Sequence, residues 1–210
     1  MCFSASASFI ASGLLSLCGG IALWRSVHTR RTSIFVAGAP LLFALQQAAE
    51  GLVWLHGYSW AALTFLFFAF GVWPFYIPFS LLVAESDKKK RKALCALTVL
   101  GSGVSLCLLI SLVSSPVAFH VQGCHLVYDV VGRLLAMPWL RWPVSVCYCI
   151  TTIAPFAISS MRYMPVVGLL IGLSCLVTCL FYTVYFISVW CFFAALISSA
   201  VVVIIYGDSE

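Results

Sequence analysis

Three polar side chains inside one apolar run carry most of the chemistry this sequence can offer. The run FALQQAAEGLVW, residues 43–54, holds Gln46, Gln47 and Glu50. On a helix Gln46 and Glu50 are four residues apart and share a face, while Gln47 lies about 100° round the axis, on the side of Gly51 and Trp54. Two carboxamides and a carboxylate so placed can hold an ion, pass a proton or grip a polar solute. They can also simply brace a bundle. For the glutamines bracing is the simpler reading, because an interhelical hydrogen bond averages about 0.6 kcal/mol and needs no further role. Glu50 reads the other way. A carboxylate in hydrocarbon must be paired, protonated or hydrated, and such groups mark ion, proton or substrate sites by default. In the bracing reading its partner would be Arg133, Arg141 or a histidine.

Other residues extend this set. VWPFYIP, residues 72–78, places Pro74 and Pro78 inside a further apolar run. Each proline removes a backbone donor and frees carbonyls, and such a break inside a bundle either kinks a helix or lines a cavity. Trp73 and Trp190 are the walls such a cavity would have, although packing is the commoner role of a large aromatic. With Tyr185 they complete a substrate or proton pathway of Glu50, Gln46, Gln47, Trp73, Pro74, Tyr185 and Trp190. A different chemistry is a mixed-ligand zinc site built from Cys2, Glu50, His56 and His125, its bound water activated by the metal. No CxxC or HxxxH spacing supports it. GCHLVYD, residues 123–129, would put His125 and Asp129 on one face if locally helical, and Cys124 within reach of Cys2 for a disulfide on an oxidising face. Most of the ten cysteines fall in apolar runs, where cysteine is a small hydrophobe. The absence of an exposed CxxC argues against a thiol oxidoreductase.

The elements that position these residues follow from composition. The chain has 210 residues, 63% of them hydrophobic and 8% charged, too little polar surface for a soluble domain of this size. The lipid bilayer is the expected solvent, and the fold class is an all-α integral membrane protein in one domain, residues 1–210. Run lengths predict seven transmembrane helices, at about 5–24, 34–55, 60–84, 93–113, 142–160, 165–182 and 185–206, with one sizeable outer loop at about 114–141. No cleavable signal is expected, since MCFSASASF lacks a basic segment before its apolar stretch. Arg25, Arg30, Arg31, Lys88, Lys89, Lys90, Arg91, Lys92 and Arg162 all fall on one side, against Arg133 and Arg141 on the other. The positive-inside rule then predicts N-out, C-in, most simply in a bacterial inner (plasma) membrane. The net charge of +5 is spent on this topology and does not point to nucleic acid.

Two patterns bear on assembly. FGVWPF, residues 70–75, echoes ISVWCF, residues 187–192; Phe65 and Phe68 correspond to Tyr182 and Tyr185; Pro40 and Pro165 each open a second helix. Read as duplication, this is a 3+1+3 parallel repeat of the kind small sugar transporters of the SWEET type use. Read as chance, it is a likeness among aromatic-rich helices. Ser4, Ser8, Ser12, Ser16 and Gly20 recur every four residues, a small-residue stripe that permits close approach to a neighbouring helix or to a second copy in a homo-oligomer.

The segments MCFSASASF (1–9), PLLFALQQAAEGLVW (40–54), VWPF (72–75) and ISVWCFFAA (187–195) resemble those of a family of small bacterial integral membrane proteins that begin with MCFSA and have no assigned function. The resemblance spans nearly the whole chain. It implies a multi-helix membrane fold and supplies no activity. Three functions remain open. The first is a small-molecule or ion transporter or channel with an outward-facing polar cavity around Glu50. The second is a metal-dependent membrane enzyme with an outer-face site. The third is a non-catalytic sensor or assembly partner.

Overall fold

The computed structural model describes residues 4–29, 33–114, 117–123, 125–129 and 137–207. The helices are α1 (Ala5–Thr29), α2 (Ile34–His56), α3 (Ser59–Ala84), α4 (Lys88–Val113), α5 (Pro138–Ile158), α6 (Met164–Phe181), α7 (Phe186–Ser198) and a short α8 (Val201–Gly207) that continues α7 after a turn. Six of the helical segments are long and apolar enough to cross a membrane. The expected span at 142–160 is the exception. It forms as α5, but Arg141, Ser145, Thr151, Thr152 and two internal prolines, Pro143 and Pro155, keep it out of that set. The lipid-facing habit of the bundle is plain on α1, where Ile10, Leu14, Leu17, Ile21 and Trp24 are exposed large hydrophobes.

α2 is the enclosed helix. It packs against α1, α3, α7 and α8, and 67% of its apolar window is buried, against 28% for α1 and α4. Gln46, Gln47 and Glu50 on α2 therefore face protein, not lipid. Asp87 starts α4 by accepting the N–H groups of Lys89 and Lys90 (2.8 and 2.9 Å), satisfying donors that the first turn leaves without intrahelical acceptors.

The prolines of α3 reshape it as their chemistry requires. Residues Phe67–Val72 widen into a π turn, in which the Trp73 N–H donates to Phe68 O. Pro74 has no N–H and its ring crowds the preceding turn, and the wider turn relieves both. The Ala69 carbonyl thereby freed accepts the Tyr148 hydroxyl of α5 at 2.7 Å. Pro78 likewise leaves Pro74 O without its helical donor. That carbonyl lies against Gly101 of α4, where an added Cβ would sit 1.9 Å from it, so only glycine admits this approach.

The serine stripe of α1 behaves differently from expectation. The buried face is Ser8, Ala11, Leu15, Gly19, Ala22 and Ser26, spaced three and four apart. A strict four-residue repeat drifts about 40° per step on a helix with 3.6 residues per turn. Ser8 therefore lies inside, Ser12 donates to Ala44 O at 2.8 Å, and Ser16 and Gly20 have rotated to the exposed side. The close approach to α2 is made by Gly19, whose added Cβ would fall 2.6 Å from the Leu41 side chain.

The outer loop is also corrected. Residues 118–122 and 125–129 pair as an antiparallel hairpin, β1 (Ala118–Gln122) and β2 (His125–Asp129), with His120 opposite Val127. The segment holding His125 and Asp129 is thus extended, not helical. The hairpin folds back on the bundle, burying Leu126 and Tyr128 among Ala49, Val53, Phe65 and Leu112. This makes one end of the bundle the hairpin end. The other carries the turns at 85–87 and 159–163.

Candidate functional site

The glutamine–glutamate turn of α2 sits beneath the hairpin. Gln46, Gln47 and Glu50 are all buried, Glu50 at 2% exposure and both glutamines at 0%. Gln46 is well held: its Oε1 accepts the Trp73 Nε1–H at 2.7 Å, and its Nε2 donates to Phe65 O at 3.5 Å. Phe43 stacks on the Trp73 indole, with ring centroids 3.7 Å apart. Glu50 accepts a hydrogen bond from the Ser188 hydroxyl of α7. Gln47 lies beside that carboxylate, yet neither its Nε2 nor its Oε1 reaches a partner at bonding geometry.

Tyr128 closes the group from the hairpin. Its ring stacks on Phe65 at 5.1 Å and 9°. Its hydroxyl is buried without a partner, and burial, with the nearby Glu50 charge adding, pushes the phenol well above its ordinary value. The result is a polar cluster from α2, α7 and β2 with capacity left over: a carboxylate on one hydroxyl, a carboxamide beside it short of bonding geometry, and a phenol without a partner. Such capacity is rare in native cores and asks for a water, an ion or a ligand group.

A second compartment lies one turn away along α7. A cavity of about 60 Å³ runs between α2, α3, α5, α6 and α7, walled by Phe43, Trp73, Tyr148, Phe156, Met164 and Trp190 among others. It is almost wholly apolar, and Glu50 is not on its wall. Trp73 and Cys191 belong to both regions. Trp73 is bonded to Gln46, four residues before Glu50, and Cys191 is three residues after Ser188.

The residues singled out in the sequence are thus divided. Glu50, Gln46, Gln47 and Trp73 come together. Pro74 acts through the backbone break it imposes. Trp190 lines the apolar cavity, and its Nε1–H donates to Ile171 O at 3.4 Å. Tyr185 lies at the hairpin end, stacked on His125 at 4.4 Å. For the zinc alternative, His56 stacks on Tyr58 at 4.9 Å, and burial holds the His125 imidazole below its ordinary value. Among the described residues no three of His, Cys, Asp and Glu gather as metal ligands. Cys2, Cys124 and Arg133 lie outside the described residues, and with them the disulfide and one supposed partner of Glu50.

Ser188, Tyr128 and Tyr148 escaped the sequence reading. Ser188 stands within the ISVWCF echo, where it looks like one small residue among apolar ones. Tyr128 and Tyr148 carry no local signal, since their partners are far along the chain.

The chain belongs to a family described as a family of unknown function (DUF6629), whose model matches residues 1–209. No curated protein and no solved structure matches it.

Proposed function

We propose that this chain is a membrane transporter or channel that passes a small molecule or ion by Glu50, set N-out and C-in in a bacterial plasma membrane. The observation that carries this reading is the carboxylate itself. Glu50 is buried on the most enclosed helix, held by one serine across the bundle, and flanked by polar groups whose bonding is incomplete. A group kept only for stability would be fully bonded or replaced by a hydrophobe. The hairpin, with Tyr128 over the cluster, fits a closed state whose opening would make the polar pocket face outward.

The parallel-repeat reading draws support from the tryptophans. Trp73 donates to Gln46, six residues beyond Pro40, and Trp190 donates to Ile171, six residues beyond Pro165. Each indole thus ties the third helix of its triplet to the second at the matching level.

The test uses the full chain in proteoliposomes, with fluorescent reporters for proton, sodium and potassium flux and native mass spectrometry on the same preparation. Wild type should carry flux or retain a small bound species. Glu50→Gln should lose either by at least about tenfold, with an unchanged melting temperature. Equal behaviour of the two proteins overturns the assignment of Glu50.

A further inference from the structure

We infer that the ligand of this site is a small amphiphilic amine, its ammonium on Glu50 and its apolar body in the adjoining aromatic cavity. The inference deepens the reading of Glu50 as the ligand-contacting group and does not depend on transport.

Charge comes first. Among the described residues no cation contacts Glu50; its neighbours are a hydroxyl, a carboxamide and a phenol. An ammonium supplies what is missing. It pairs with the carboxylate, and the unfilled Gln47 Oε1 and Tyr128 oxygen are further acceptors buried nearby. An anion would meet an ionised Glu50 with repulsion, and a neutral solute would gain no ion pair from it.

Shape comes second. On α2 the nearest wall residue, Phe43, is about two helical turns from Glu50, while on α7 one turn separates Ser188, which bonds the carboxylate, from Cys191 on the wall. The α7 step is the length of a short alkyl linker between a ring and an ammonium. The cavity offers Phe43, Trp73 and Trp190 for the apolar part. A volume of about 60 Å³ is well under the roughly 150 Å³ of a cavity that takes a benzene ring, so a one-ring body enters only as the wall side chains move. Largely apolar walls with a few convergent polar groups are the usual make-up of a small-molecule site.

The experiment is calorimetric titration of the full-length protein in lipid nanodiscs with 2-phenylethylammonium and with its neutral counterpart, 2-phenylethanol. Wild type should bind the amine at least about tenfold more tightly than the alcohol. Glu50→Gln should bring the two to near parity by weakening the amine alone. Ala194→Leu, which intrudes on the cavity from α7, should weaken both ligands, and a melting curve for each variant reports its fold. Equal affinity for the two ligands in wild type, no binding of either, or a preference that survives Glu50→Gln overturns the inference. Loss of flux with amine binding intact overturns transport alone. Inorganic-ion flux without amine preference overturns this inference alone.

Discussion

Among the described residues two carboxylates are buried in this bundle, and the protein treats them in opposite ways. Glu85, in the turn after α3, is saturated. Its Oε1 accepts the N–H groups of Ser86 (3.0 Å) and Asp87 (2.9 Å), and its Oε2 accepts that of Ser160 at 2.7 Å. Lys90 adds a bond to the Ser160 hydroxyl at 2.9 Å. Glu50, at the hairpin end, has one hydroxyl and a neighbouring carboxamide that bonds to nothing. Both side chains are more than nine-tenths buried, so burial does not separate a structural carboxylate from a working one. Saturation does. Glu85 clasps the α3–α4 turn to the α5–α6 turn with both oxygens bonded, whereas Glu50 sits among groups that still need partners.

Removing the clasp should give the largest effect. Glu85→Ala strands three backbone donors and should cost about 2–3 kcal/mol, read as a lower melting temperature in detergent. Acid should imitate it. Burial alone would raise the Glu85 carboxyl, but the N–H groups of Asp87, Ser160 and Ser86 outweigh burial and hold it below its ordinary value. A depressed folded value means the stabilisation is complete above the unfolded carboxylate range and fades as pH falls through the folded one. The wild-type melting temperature should therefore drop on acidification below about pH 4, and Glu85→Ala should flatten that limb. An unchanged acid limb in the variant would strip Glu85 of its clasp role.

A middle-sized effect is expected where the two regions are joined. Tyr148 lines the apolar cavity and caps the carbonyl that the π turn releases. Tyr148→Phe keeps the ring and leaves Ala69 O unbonded, which should cost about 1–2 kcal/mol. If the melting temperature does not move, the π turn finds another donor and is not held from α5.

How legible this was follows from the range of each interaction. Helix positions were readable because apolar run length is a local property: the end of α2 was placed at 55 and is at His56. Gln46, Gln47 and Glu50 were readable because polar groups stand out in an apolar run. The Gln46–Trp73 pair could be guessed only as two members of one pathway. Ser188 and Tyr128 could not be found, since a serine 138 residues from Glu50 has no sequence mark of its role. Glu85 is hidden among the charges of ESDKKKRK, residues 85–92, where a topological signal masks a structural one. The hairpin was missed because 114–141 lacks the tight Asn-Gly or Asp-Gly turn that announces one. The α1 stripe divides because spacing by four does not keep to one face on a helix that turns every 3.6 residues.

The smallest effect carries the opposite sign, and it tests the contrast most directly. Gln47 is fully buried with both ends of its carboxamide unbonded. A group in that state costs stability, and a leucine of similar volume removes the cost without opening a cavity. Gln47→Leu should therefore raise the melting temperature, by the equivalent of about 1 kcal/mol, while weakening 2-phenylethylammonium binding and leaving 2-phenylethanol nearly untouched. Gain of stability with loss of ligand is the behaviour expected where a binding site is maintained against the interest of the fold. A destabilised Gln47→Leu would mean that the carboxamide already satisfies a partner, a buried water included, and that the Glu50 region is braced in the manner of Glu85.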